Sequence, residues 1–97
     1  MRTVIRLSCP GTQGNTVFIT STDWQSRYGL GHPANTGDAD LIIVALDQDN
    51  TPISDLRLRF GQSLPWYTPP DGTVSIAVVG PINCNGTPVF EYDTPCV

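Results

Sequence analysis

The residues able to do chemistry are few in this chain. Its one histidine, His32, stands between Gly31 and Pro33 in a glycine-rich stretch. A Ser-His-Asp or Cys-His device needs a base held within hydrogen-bond reach of a nucleophile. No motif of the G-x-S-x-G kind frames a serine here, so His32 is expected to be a solvent-exposed loop residue. For acid–base work there are Glu91 and eight aspartates, most of them in turn-like stretches where Asp serves its own backbone. A carboxylate pair of the glycosidase type needs a cleft to hold a sugar, and a domain of this length offers little cleft. Asp47-x-Asp49-Asn50 resembles the start of a calcium loop, but the third acidic position, the glycine at the sixth place and the glutamate at the twelfth are missing. Asp38 and Asp40 stand at the other end of the strand-like run Leu41 to Leu46 that leads into this stretch. The stretch is expected to be a structural turn.

Cys9, Cys84 and Cys96 are spaced by 75 and 12 residues, which matches no zinc pattern. Reduced, partly buried thiols are expected, with a single disulfide such as Cys84–Cys96 as the alternative. Asn85-Gly86-Thr87 fits a glycosylation sequon, but it falls on a turn and is followed by Pro88, so it is read as coincidence. No catalytic residue, cofactor or metal is expected, and the chain reads as a non-enzyme.

Binding chemistry is better represented. Trp24, Tyr28, Trp66 and Tyr67 all lie in two long stretches rich in Gly and Pro. Loop aromatics can stack on sugar rings or anchor a protein partner. They can equally seal the open end of a core, as expected of Trp66 and Trp24 if they fold inward. Arg57 and Arg59 share an outward strand face with Asp55. That face is either solvated with cross-strand ion pairs or a surface for an acidic partner.

The elements that must position these residues are strands. Thr3, Ile5 and Leu7 alternate with Val4 and Arg6, a period of two. Thr16 to Ser21 is β-branched and aromatic and is expected to pair with the first strand in a hairpin. Residues 22–40 read as an irregular loop, with Thr22 or Asp23 capping a short helical turn. Leu41 to Leu46 is continuously apolar and reads as a strand buried on both faces. Asp47 to Pro52 is the strongest turn, leading into Ile53 to Phe60, where Leu56, Leu58 and Phe60 face in. Residues 61–73 form a second irregular stretch. Thr73 to Val79 is a strand with Val74, Ile76 and Val78 on one face. Asn85-Gly86 then marks a hairpin joining 81–84 to 87–92.

Six or seven short strands with rich turns and no convincing helix are best accommodated in one all-β domain over residues 1–97. A small antiparallel β-sandwich, Ig-like or jelly-roll-like, is favoured, with a small closed barrel as the alternative. Area scaling gives about 5,400 Å² of folded surface against about 15,000 Å² unfolded.

Composition narrows the partners. Only 14% of residues are charged, against a typical ~25%, and the net charge is −4. All five basic residues are arginines, and they do not cluster, which disfavours nucleic acid and anionic membranes. No stretch approaches the ~20 apolar residues of a membrane span. Met1-Arg2 runs straight into a strand-like segment with no apolar stretch of signal-peptide length, so synthesis in the cytoplasm is expected. A structural or interaction role is the expectation. The chain would be an accessory subunit of a larger assembly, such as a phage capsid decoration or other virion protein, with self-association or particle contacts. The alternative is a carbohydrate- or protein-binding module that uses the loop aromatics.

Overall fold

The computed structural model describes residues 2–7, 16–19, 24, 29–80 and 86–93. Eight strands run in chain order: β1 (Arg2–Arg6), β2 (Thr16–Ile19), β3 (Leu30–Asn35), β4 (Leu41–Leu46), β5 (Pro52–Leu58), β6 (Trp66–Tyr67), β7 (Ser75–Val79) and β8 (Val89–Asp93). They form two four-stranded sheets, ordered β1-β8-β3-β6 and β2-β7-β4-β5, with every pairing antiparallel.

The pairs β4–β5, β3–β6, β2–β7 and β1–β8 nest inside one another. The chain thus doubles back once, at residues 47–51, as a single long ribbon. Rolling that ribbon brings β8 beside β3 and β7 beside β4. This is the eight-stranded double Greek key, or jelly roll. The two sheets pack face to face as a sandwich and do not close into a barrel.

The central turn forms for a local reason. The Asp47 carboxylate oxygen Oδ1 accepts from the N–H groups of Asp49 and Thr51, both at 2.9 Å, and Asn50 takes the left-handed conformation at φ 60°. These bonds satisfy backbone donors that a tight turn otherwise leaves to water.

The core follows from alternation. Leu30, Phe90 and Tyr92 project from the first sheet. Ile19, Leu41, Ile43, Leu58, Ile76 and Val78 project from the second, with Leu7 and Trp24 completing the cluster. The folded surface is 5718 Å². Among the described residues Asn35 is the one buried polar residue, 1% exposed. Its side-chain amide donates to Ala39 O and to Leu58 O, the latter on β5 of the opposite sheet. Its Oδ1 accepts from Gly37 N and Val89 N.

Several sequence expectations are corrected. β1 and β2 do not form a hairpin; each pairs with a strand from the far end of the chain. The first arm of the hairpin expected across Asn85-Gly86, residues 81–84, lies outside the described residues; β8 itself is flanked on its two sides by β1 and β3. Both stretches read as irregular hold a strand. β3 was concealed because Gly29, Gly31 and Pro33 punctuate it. Its register slips between Gly31 and Ala34, the kind of irregularity that accommodates a proline. β6 spans only two residues. β4 is not buried on both faces: Leu41, Ile43 and Ala45 are fully enclosed, whereas Ile42 and Val44 are half-buried. Phe60 does not face in. The strand ends at Leu58, a turn closed by Gln62 N donating to Arg59 O follows, and Phe60 is 64% exposed. Val74 precedes β7 and is also exposed.

Candidate functional site

The outer face of the first sheet carries a row of residues in register across all four strands. Arg2 on β1 lies opposite Asp93 on β8, Asp93 opposite Gly31 on β3, and Gly31 opposite Trp66 on β6. Leu30 points into the core, so by alternation its neighbours Gly29 and Gly31 face outward. A Cβ at Gly29 would sit 2.6 Å from Trp66 Nε1, and one at Gly31 would sit 3.4 Å from Trp66 Cζ3. Those two atoms are at opposite ends of the indole. The indole therefore reaches along β3 past both glycines, and 44% of the residue remains exposed. Glycine is required at position 29: φ there is +154° and the same Cβ would be 2.1 Å from the Tyr67 carbonyl oxygen.

Beside the ring is a fixed network of charges. Arg2 Nε lies 3.2 Å from Glu91 Oε1, and Arg2 Nη1 lies 2.9 Å from Asp93 Oδ1. Thr36 Oγ1 donates to Glu91 Oε2 at 2.5 Å. The Thr36 hydroxyl, then Arg2, holds the Glu91 carboxyl below its ordinary range, and Arg2 does the same for Asp93. The Asp93 carboxylate in turn raises the Arg2 guanidinium. His32 is exposed and, among the described residues, is one of two non-glycine residues at positive φ, 46°. Its N–H donates to Pro65 O, joining β3 to the chain just before β6.

The residues singled out from sequence do not form one site. Trp66 faces outward. Tyr67, the next residue, turns inward, packs against the core and brings its hydroxyl beside Ser54 of β5, where burial pushes its pKa up. It closes the gap between the edges β6 and β5. Trp24 is 6% exposed and belongs to the core. Tyr28 lies outside the described residues, as do Cys9, Cys84, Cys96 and Asn85.

Arg57 reaches not Asp55 but Asp40, with Nε and Nη2 at 3.0 and 2.7 Å from Oδ2. Asp40 Oδ1 accepts from Phe60 N. Arg57 first, then that N–H, lowers the Asp40 carboxyl, with Arg59 adding a long-range contribution. Arg57 thus ties the end of β5 to the start of β4. Arg2, Glu91, Asp93 and Thr36 were not singled out as a group from sequence. They meet only because β1, β8 and β3 are adjacent, and nothing local signals that pairing.

The second sheet presents a different outer face. Phe18, Ala77, Val44 and Asp55 lie in one cross-strand row, and Thr16, Val79, Ile42 and Arg57 in the next. Five of those eight positions are apolar, which makes the face far less polar than a solvated sheet surface. Phe18 is 59% exposed.

Among the described residues no group of three or more His, Cys, Asp or Glu is placed to hold a metal ion, and no helix is long and apolar enough to cross a membrane. No family model matches the chain, and no curated protein or solved structure matches it either.

Proposed function

We propose that this chain is a non-enzymatic structural subunit that enters a larger assembly by packing the outer face of its second sheet against a second copy of itself. One observation carries the reading: the apolar run of β4, whose composition calls for cover on both sides, has its outer residues Ile42 and Val44 only half-buried, in a face shared with Val79 and Phe18. Contiguous apolar patches on a sheet mark surfaces that associate.

Shape and charge favour a second copy as the occupant. The molecule is a slab of 35 × 29 × 17 Å, so a broad face offers roughly 1,000 Å², against the ~800 Å² per partner of a standard interface. Asp55 and Arg57 sit two residues apart at the β5 margin of the face. A two-fold axis running antiparallel strands past each other sets Asp55 of one copy against Arg57 of the other, twice. Arg57 keeps donors for this, since two of its five serve Asp40 and its side chain is 65% exposed. An accessory protein of a virion, such as a capsid decoration, is an assembly of the kind such a subunit suits.

The test is solution mass by size-exclusion chromatography with light scattering, for the wild type and for Phe18→Asp. Burying the exposed part of Phe18, about 120 Å² of a ~200 Å² side chain, contributes about 3 kcal/mol per copy. The wild type is expected as a dimer or larger oligomer whose melting temperature rises with concentration, and Phe18→Asp as a folded monomer, with the wild-type circular-dichroism spectrum and a melting temperature independent of concentration. A wild type that is monomeric at all concentrations, or an oligomer indifferent to Phe18→Asp, overturns the reading.

A further inference from the structure

We propose that the outer face of the first sheet is a binding site for a neutral saccharide, with the Trp66 indole as the stacking platform and Arg2, Glu91 and Asp93 as partners for ring hydroxyls. The site lies on the broad face opposite the apolar one and does not depend on the assembly role.

The geometry of Trp66 is the first argument. An edge-strand tryptophan of a small sandwich is ordinarily most stable tucked toward the core, as Trp24 is. Trp66 instead lies outside, spread over Gly29 and Gly31, with supports beneath both ends of the ring. The strand gives up two side chains to accommodate it, and one of those glycines has a φ that other residues rarely adopt. The result is an indole packed against the sheet over two glycines, with 44% of the residue left exposed. The C–H face of a pyranose ring matches such a surface.

The second argument is what surrounds the ring. A Cβ at Gly31 would be 3.2 Å from Asp93 Cβ and 3.4 Å from the Trp66 ring, so the Asp93 side chain springs from the sheet at the edge of the platform. Arg2 bridges Asp93 to Glu91, and Thr36 holds Glu91 from the other side. These side chains are pinned before any ligand arrives. Arg2 Nη1 is buried, but the Asp93 side chain is 51% exposed and Arg2 30%, so a carboxylate with about four lone-pair sites and part of a five-donor guanidinium still face outward after the internal bonds are made.

The same groups select the ligand class. An apolar protein surface laid over Glu91, Asp93 and Arg2 would strip water from three charges without replacing its hydrogen bonds. A polyol replaces them. Two carboxylates against one guanidinium leave a net negative site, which repels acidic sugars and admits neutral ones.

The experiment is isothermal titration of the full chain with neutral gluco-, galacto- and manno-oligosaccharides, and with oligogalacturonate as the acidic comparison. A single platform gives dissociation constants of about 0.1–1 mM. Trp66→Ala is expected to weaken binding at least tenfold, Trp66→Phe less, and Asp93→Asn several-fold, whereas Phe18→Asp leaves it unchanged. In Trp24→Phe, which leaves Trp66 as the one indole, sugar should shield the emission from acrylamide. Three results overturn the proposal: no neutral oligosaccharide binding at 20 mM (about twentyfold above the weakest expected constant), binding unaffected by both Trp66→Ala and Asp93→Asn, or a preference for oligogalacturonate.

Discussion

Asn35 is the residue whose replacement tests the architecture most directly. It is 1% exposed and makes four hydrogen bonds through its side chain: to Ala39 O at 2.8 Å, to Leu58 O at 3.0 Å, from Gly37 N at 3.1 Å and a longer one from Val89 N at 3.4 Å. One amide thereby joins the end of β3, the turn at 36–40, β8 and the opposite sheet. Asn35→Leu keeps the number and branching of side-chain heavy atoms and removes every bond. Three well-made bonds at ~1–1.5 kcal/mol each, with backbone N–H groups left buried and unpaired, put the cost at about 3–5 kcal/mol. That is a large share of the ~5–15 kcal/mol that holds a domain of this size together, and it lowers the melting temperature by roughly 20 °C. Urea unfolding followed by circular dichroism reads it directly. Asn35→Asp supplies an internal control. It preserves shape but turns a donor that faces two carbonyl oxygens into an acceptor. The new carboxyl is stabilised in its protonated form, so its folded pKa rises above the unfolded one. The variant should then regain stability as pH falls below the ordinary carboxyl range and lose it as pH rises through the raised value. If Asn35→Leu costs less than about 1 kcal/mol, or Asn35→Asp shows no pH dependence beyond that of the wild type, the amide is not the clamp described.

The ion pairs make a further pH prediction. Asp40, Glu91 and Asp93 all titrate below their ordinary values of 3.8, 4.5 and 3.8 because of Arg57, Thr36 and Arg2. Carboxyls depressed in the folded state stabilise it above those ordinary values, and the contribution is lost as pH falls through the depressed ones. Melting temperature should therefore drop below about pH 4.5, and the combined variant Arg2→Gln, Arg57→Gln should show a shallower drop; an identical profile would remove these pairs from the account. At the central turn, Asp47→Ala loses two bonds to backbone N–H groups and should cost about 1–2 kcal/mol, whereas Asp47→Asn, which keeps an acceptor oxygen, should cost less. Calcium is expected to leave the melting temperature of either form unchanged, and a rise that EDTA reverses would contradict a purely structural turn.

What the sequence made legible was local. The alternation of Ile5 and Leu7 with Val4 and Arg6, the turn at Asp47-Gln48-Asp49-Asn50 and the β4–β5 hairpin could all be read, because each depends on residues a few positions apart. The nested pairing of β1 with β8 and β2 with β7 could not, since period-two patterns say which face a residue takes and nothing about its neighbour strand. β3 was lost for a definite reason. Gly29, Gly31 and Pro33 are breakers by composition, yet here the two glycines make room for an indole and the proline sits in a kinked stretch. The outward group of Arg2, Thr36, Glu91 and Asp93 was invisible on the same grounds. Trp66 and Tyr67 stand out together in the sequence, but adjacency in a strand sends them to opposite faces, Trp66 outward and Tyr67 against the core.

The difference between the two outer faces begins in two short strands. In β8, Val-Phe-Glu-Tyr-Asp, every second residue inside is aromatic, and Glu91 and Asp93 face out. In β4, Leu-Ile-Ile-Val-Ala-Leu, the outward positions are as apolar as the inward ones. A sheet face with solvent as its lasting neighbour has no use for Ile42, Val44 and Phe18, and one destined for an apolar partner has no use for pinned carboxylates. In a slab 17 Å thick, the two faces look in opposite directions. In the proposed arrangement, burial of the second sheet against another copy leaves the Trp66 face turned outward from the joint. An assembly of such subunits would then present its saccharide sites in a repeating array, and weak single-site affinity would be multiplied by the number of sites engaged at once. The two proposals can therefore be separated by one variant: Phe18→Asp should abolish multivalent capture on a saccharide-coated surface while leaving the single-site constant in solution unchanged.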